Sequence, residues 1–283
     1  MKVRNVAVGD TLFLVREWGD GDGTPVLLLH GVPETSSVWR DVAPALAAHG
    51  RRVLAPDLPG LGGSTYSGPY DVPSVVRQLV ALLEHEVGDR AVDVVGHDWG
   101  GSVALGLTGE HPARVRRLAV GNTVFRHVNL LRAPHIPFFA VPAAPELLFR
   151  LAGARVVETM LSLGWKSDVV LDPEAKAEYV AAYSDPARVS AMLGYYRAAA
   201  RPKLKAALRV GSAHAGPPRV KAEQMLVFWG AADAVLPISV GESIVKDLGS
   251  ACDMVTIPGA GHFVVEEAPD VVRETLTSFL AEG

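Results

Sequence analysis

The strongest structural signal in the chain lies in Ala91-Val92-Asp93-Val94-Val95-Gly96-His97-Asp98-Trp99-Gly100. The first half is a short, mostly apolar run, which predicts a strand buried on both faces. A helix-length segment, residues 100–109, follows at once. Glycines on either side of a central residue allow a sharp strand-to-helix turn that lifts the middle side chain above the sheet. The pattern therefore predicts that Asp98 stands at the tip of such a turn.

Similar apolar runs recur on both sides of this segment, at residues 26–29, 52–55, 117–120, 225–229 and 254–257. Helix-length stretches, such as residues 72–87 and 269–280, lie between or after them. Strands that alternate with helices predict an α/β fold with a mostly parallel central sheet and helices on both faces. The start of the chain, Val3 to Trp18, predicts two strands that turn at Gly9-Asp10.

The alternation stops between about Phe125 and Gly216. Proline-rich loops and helical segments take its place, with Asp172-Pro173 and Asp185-Pro186 typical of helix starts. We therefore expect a core domain formed by residues 1–124 and 217–283, with a helical cap over residues 125–216. Such a cap would cover the carboxyl ends of the strands, where open α/β sheets bind ligands.

Composition excludes several classes of protein. The 283 residues are 49% hydrophobic and 20% charged, with a net charge of −4, so a large core is expected and no basic stripe for nucleic acid is present. The single cysteine, Cys252, rules out an internal disulfide framework and favours a reducing, cytoplasmic setting. The uncharged stretch 133–145 is too short and too rich in proline for stable membrane insertion. A monomer and a homodimer both remain open.

Three residues in chain order suggest covalent chemistry: Asp98, Asp233 and His262. A carboxylate is already anionic at neutral pH and attacks a saturated carbon to form an ester. Asp233 and His262 each follow a predicted strand, so a base oriented by an acid would come next in the order nucleophile, acid, histidine. In the alternative interpretation Asp98 and Asp233 only cap helices and His262 is a loop residue.

A second motif, His30-Gly31-Val32-Pro33, follows the first buried strand. A glycine at that point lets backbone N–H groups approach a reacting oxygen. The amides of Val32 and Trp99 are thus predicted to form an oxyanion hole. For His30 itself a structural role in the turn is expected.

Together these motifs resemble the α/β-hydrolase superfamily, in its epoxide hydrolase and haloalkane dehalogenase branch. The resemblance rests on His30 to Pro33, on Gly96 to Gly100, and on a loop, Asp57-Leu58-Pro59-Gly60-Leu61-Gly62-Gly63-Ser64, whose role we take as structural. It implies an α/β-hydrolase fold with a helical cap inserted after the sixth strand, and a reaction that needs neither cofactor nor metal.

In epoxide hydrolases, cap tyrosines bind the epoxide oxygen. Gly194-Tyr195-Tyr196-Arg197 is similar to the family's segment, which places Tyr196 in the tyrosine position. Helical spacing from Val189 also puts Tyr196 on the apolar face of its helix, although simple core packing is the alternative. The family's second tyrosine has no counterpart between residues 125 and 150. Candidates to replace it are Tyr183, Tyr179, His135 and Trp165.

The resemblance implies hydrolysis of an epoxide to a vicinal diol, through an ester on Asp98 that His262 and Asp233 hydrolyse. The first alternative is a haloalkane dehalogenase with the same three residues, in which Trp99 holds the halide. Dehalogenases use a second halide donor, often an asparagine at the position that Val32 occupies here. A tryptophan of the cap can also serve, and Trp165 is the candidate for that role. The second alternative is a ligand-binding homologue without hydrolysis. We expect a small apolar substrate, an epoxide or a haloalkane. The residues expected to line its pocket are Trp99, Phe138, Phe139, Trp165 and Tyr183.

Overall fold

The computed structural model of the protein describes residues 1–126, 135–207 and 219–281. Eight strands form one sheet in the order β1-β2-β4-β3-β5-β6-β7-β8. The first two strands pair antiparallel, β2 also runs antiparallel to β4, and all other neighbours are parallel. The predicted fold class is thereby confirmed. The strands are β1 (Lys2–Val8), β2 (Thr11–Trp18), β3 (Val26–Leu29), β4 (Val53–Pro56), β5 (Val92–His97), β6 (Val115–Gly121), β7 (Gln224–Gly230) and β8 (Cys252–Ile257).

Helices cover both faces of this sheet. One buried cluster joins α1 and α10 to alternate strand residues, and the other cluster joins α2, α3 and α8 to the residues between them. This two-sided burial explains why the strands are continuous apolar runs rather than alternating ones. The helices named here are α1 (Ala43–Ala48), α2 (Val72–Val87), α3 (Trp99–Glu110), α4 (His135–Ala140), α5 (Ala144–Gly164), α6 (Pro173–Ala182), α7 (Pro186–Ala207), α8 (Ile238–Leu248), α9 (Val264–Glu267) and α10 (Pro269–Leu280).

The turn between β5 and α3 is as tight as its glycines suggest. A Cβ on Gly96 would overlap the Gly100 carbonyl, and a Cβ on Gly100 would overlap the carbonyl of Leu29. Between them Asp98 has φ 50° and ψ −119°, a positive-φ backbone conformation that residues other than glycine rarely adopt. The sequence therefore folds this segment at a cost in strain, and the strain sets the direction of the Asp98 side chain.

Helices α4 to α7 all lie in the chain between β6 and β7, after the sixth strand. Asp172 begins α6 as expected, because its side chain accepts a hydrogen bond from the Ala175 N–H. The boundaries predicted for the cap, residues 125–216, remain a prediction, since residues 127–134 and 208–218 lie outside the described residues. Within the described part of the chain, no helix is both long and apolar enough to cross a bilayer.

Candidate active site

Asp98 lies between one backbone amide and one imidazole. The Val32 N–H donates to Asp98 Oδ1 at 2.9 Å, and His262 Nε2 lies 3.5 Å from Asp98 Oδ2. Burial raises the pKa of Asp98, but the hydrogen bond and positive charge of His262 outweigh it and hold that pKa below its usual value. The carboxylate is therefore ionised at neutral pH and keeps lone pairs available for attack on carbon.

His262 is oriented by Asp233 from the side opposite to Asp98. Its Nδ1 lies 2.8 Å from Asp233 Oδ2, while Asp233 Oδ1 accepts the N–H groups of Val235 and Leu236. Burial lowers the pKa of His262, but Asp233 and Asp98 together raise it well above its usual value. The imidazole of the free protein is thus a cation held between two carboxylates.

Asn122 is a further part of this cluster that our sequence analysis missed. It follows β6, its side-chain nitrogen donates to Asp233 Oδ2 at 2.7 Å, and its oxygen accepts the Gly230 N–H at 3.0 Å. Asparagine tolerates the left-handed φ of 37° found there. The available signal was its position, because polar residues after neighbouring parallel strands meet at one edge of the sheet.

A second buried pair, Glu34 and His97, lies behind the imidazole. His97 Nδ1 is 2.8 Å from Glu34 Oε2, and His97 Nε2 is 2.8 Å from the carbonyl oxygen of His262. Both ring nitrogens thus face oxygen atoms, an arrangement that favours the doubly protonated ring, which can donate to both. Burial lowers the pKa of His97, and the Glu34 carboxylate more than compensates and raises it. The pair fixes the backbone of His262 from behind.

Both predicted oxyanion donors lie near the Asp98 carboxylate: Val32 contacts it directly, and Trp99 is the next residue in the chain. The Val32 N–H already contacts Asp98 Oδ1, and Trp99 is the first residue of α3, whose leading amides have no partner within the helix. His30 has the structural role expected of it, because its Nε2 accepts the Leu58 N–H at 2.9 Å.

Tyr196 reaches the site from α7. Its ring packs edge-on against Trp99, with the two ring centroids 5.1 Å apart. Burial and the nearby charge of Asp98 raise the pKa of its phenol, so it remains protonated. The neighbouring Tyr195 instead donates its hydroxyl to the Pro59 carbonyl at 2.9 Å.

The other predicted cap residues divide into two groups. Phe139 is buried with its ring 5.1 Å from Tyr196, whereas Phe138 is 38% exposed and is not brought into the cluster. Trp165 donates its indole N–H to the Val169 carbonyl, and Tyr183 donates its hydroxyl to the Glu34 carbonyl, so both donors are already bonded to backbone oxygens.

Two candidates for the second cap donor remain, Tyr179 and His135. The Tyr179 hydroxyl donates to Glu266, so it is committed elsewhere. The ring of His135 lies 6.2 Å from that of Tyr196, and the charges of Asp98, His262 and Asp233 act on it. His135 is therefore the candidate that the structure places beside Tyr196.

Comparisons with known proteins agree with this architecture. The model of the alpha/beta hydrolase fold family matches residues 24–269. A soluble epoxide hydrolase of Corynebacterium sp. (strain C12) is 29% identical over 92% of this chain and 91% of its own, and haloalkane dehalogenase 2 of Mycobacterium bovis is 29% identical over 91% and 88%. Among solved structures, epoxide hydrolase A of Mycobacterium thermoresistibile superposes with a TM-score of 0.79 at 26% identity, covering 99% of this chain and 98% of its own. The protein is a member of the α/β-hydrolase fold family.

Proposed function

We propose that the protein is an epoxide hydrolase that opens a small apolar epoxide to a vicinal diol. The observation that carries the proposal is the position of the Asp98 carboxylate, which lies between the Val32 amide and the His262 imidazole with the Tyr196 phenol nearby. Relatives named soluble epoxide hydrolase and haloalkane dehalogenase 2 support a hydrolase activity for this chain.

In the first step, Asp98 attacks one carbon of the epoxide. A C–O bond to the carboxylate forms as the ring C–O bond breaks, and the released oxygen takes the proton of Tyr196. Because burial and Asp98 keep that phenol protonated, Tyr196 begins the step as a donor. The product is a hydroxyalkyl ester on Asp98, with Tyr196 left as a phenolate.

The second step begins with a change of charge. Once Asp98 is esterified, it no longer helps to raise the pKa of His262, so the imidazole loses a proton more readily. That proton returns to the Tyr196 phenolate. Neutral His262 then takes a proton from water, whose oxygen bonds to the ester carbonyl carbon, while the amides of Val32 and Trp99 stabilise the oxyanion. The ester C–O bond breaks, the departing alkoxide takes the remaining proton of the added hydroxyl group, and the diol leaves with Asp98 again a carboxylate and His262 again a cation.

We assign the second cap donor to His135. Burial lowers its pKa, so at neutral pH the ring is uncharged and one nitrogen carries a proton that can be donated to the epoxide oxygen. The other three candidates donate their polar hydrogens to Glu266, Glu34 and Val169. A histidine thus takes the place where the resemblance implied a tyrosine.

Haloalkane dehalogenation receives less support from the same contacts. The indole N–H of Trp165, the cap candidate for a second halide donor, already donates to the Val169 carbonyl, and the Trp99 ring packs against Tyr196. Val32 offers no side-chain donor for a halide. The ligand-binding alternative is weakened by the arrangement of His262, which is hydrogen-bonded to Asp233 and forms an ion pair with Asp98, because a protein that only binds ligands does not require it.

The test is to trap the ester with His262→Gln. When this variant is mixed with styrene oxide, we expect intact mass spectrometry to show protein heavier by one substrate, and peptide mapping to place the adduct on Asp98. Wild-type protein should give diol without a lasting adduct. The proposal fails if neither protein reacts with epoxides, or if 1-bromohexane releases bromide while epoxides remain untouched.

Tyr196→Phe should slow formation of the ester by about 10²- to 10⁴-fold, because the ring-opening step then loses its proton donor. The rate is measured in the His262→Gln background, where only the first step occurs. Tyr195→Phe is the matched control, since the hydroxyl of Tyr195 is bound to the Pro59 carbonyl, and it should leave that rate unchanged. Equal losses in both variants would remove Tyr196 from the mechanism.

A further inference from the structure

Glu267 is a buried carboxylate just behind the His262 loop. Its oxygens accept four backbone N–H groups, at distances from 2.6 to 3.1 Å. Two of these donors, Gly261 and Phe263, flank His262 directly. The carboxylate therefore holds the backbone on both sides of the imidazole.

The other two donors to Glu267 belong to the segment that follows α5. They are the amides of Lys166 and Ser167, at 2.6 and 2.8 Å. The contact is reinforced by the His262 N–H, which donates to the Gly164 carbonyl at 2.9 Å. Segment 164–167 and loop 261–263 are thus joined through one side chain and one direct hydrogen bond.

The two segments touch without space for larger residues. A Cβ on Gly261 would overlap the Gly164 carbonyl, and a Cβ on Gly164 would overlap the ring of Phe263. Charge-assisted bonds to a buried carboxylate are stronger than neutral ones, and leaving such a charge unpaired is costly. The end of α5 and the His262 loop should consequently move as one unit.

The first chemical step depends on different supports. Asp98 is placed by the turn after β5, and Val32 follows β3. Neither residue is among the four donors to Glu267. His262 also contacts Asp98, but hydrolysis of the ester is the step that uses it as the base, and Glu267 binds its two neighbours. A change at Glu267 should therefore affect the two steps unequally.

We propose that Glu267 is a positioning residue that couples the docking of segment 164–167 to the placement of His262, so that release of the ester requires both. This inference rests on the proposed two-step function. Glu267 does not touch substrate; it acts through the backbone that carries the imidazole. A displacement of the base by about 1 Å is enough to cost about 10²-fold in rate.

The experiment compares Glu267→Gln with Glu266→Gln on styrene oxide. In a two-step reaction, slower hydrolysis lowers kcat and KM by the same factor and leaves kcat/KM unchanged. We expect that pattern for Glu267→Gln, with a fall of about 10- to 100-fold in each constant, and rapid-quench mass spectrometry should show the ester accumulating. Glu266 is the matched control because it is also buried but binds the side chains of Arg40 and Tyr179. Glu266→Gln should not accumulate ester.

Glu267→Asp provides a second variant, because it keeps the charge but shortens the side chain. If Glu267→Gln fails to fold, Glu267→Asp is measured in its place, and it should accumulate ester to a smaller extent than expected for Glu267→Gln. The inference is overturned if kcat falls at constant KM without accumulated ester in the folded variant, or if Glu266→Gln accumulates ester equally. If His262→Gln also traps no ester, the proposed function itself fails; if His262→Gln traps ester but neither Glu267 variant accumulates it, only the role of Glu267 is lost.

Discussion

Replacing Asp98 with alanine should abolish turnover, with a loss of about 10⁶-fold that leaves only background hydrolysis. The proposed ester cannot form without this carboxylate, which lies between the Val32 amide and the His262 imidazole. Diol formation is measured at saturating epoxide. Retention of even a hundredth of the wild-type rate would show that Asp98 is not the nucleophile.

The same position allows a matched test of backbone strain. Asp98→Ala and Asp98→Gly both lack the carboxylate, but only alanine must place a Cβ at φ 50°. Such strain costs about 1–3 kcal/mol, whereas glycine loses about 0.5–1 kcal/mol in unfolded-state entropy. Asp98→Gly should therefore be more stable than Asp98→Ala by about 1 kcal/mol in urea unfolding. Equal stabilities would mean that the turn stores no strain at this residue.

Loss of Asp98 should also lower the pKa of His262, since that carboxylate is one of the groups that raise it. NMR titration of the imidazole measures this directly. A histidine whose folded pKa is raised stabilises the fold fully below its unfolded pKa of about 6.5 and loses that contribution as pH rises through the folded pKa. In Asp98→Ala the folded pKa is lower, so this loss should be smaller and should end at a lower pH.

Local patterns were sufficient to predict the elements that position Asp98. A buried strand of the predicted type precedes it, two glycines surround it and α3 follows it, and each of these features is encoded within ten residues. The face of α7 that carries Tyr196 was likewise predicted by helical spacing, because that spacing is also local. The two-sided burial of the sheet explains why its strands were recognisable as continuous apolar runs.

Contacts between distant segments were not predictable in this way. Glu267 follows the His262 loop closely, but its donor Lys166 lies 101 residues away in the chain. The partner of His97 is separated from it by 63 residues. No periodicity encodes which buried carboxylate meets which amide or imidazole, because that depends on how loops pack after the sheet has formed. The contacts that favour His135 over Tyr179 as the second donor also join distant segments, so the sequence did not predict them.

Asp233→Asn should reduce turnover by about 10⁴-fold while leaving ester formation nearly intact. The carboxylate accepts hydrogen bonds from His262, Asn122 and two backbone amides, so both of its oxygens act as acceptors. An asparagine amide has one acceptor oxygen and one donor nitrogen, and the nitrogen would face groups that also donate. His262 would lose both its orientation and the charge that stabilises its cation.

Two measurements separate this effect from general damage. Rapid-quench mass spectrometry should show ester on nearly every Asp233→Asn molecule at steady state, and urea unfolding should show a loss of about 1–3 kcal/mol for the unsatisfied donors. Asp253→Asn, at an exposed position on β8, is the control and should change neither. If Asp233→Asn slowed ester formation as much as hydrolysis, Asp233 would act on the nucleophile rather than on the base. The proposal that Asp98 forms the ester and that His262, oriented by Asp233, hydrolyses it would then be wrong.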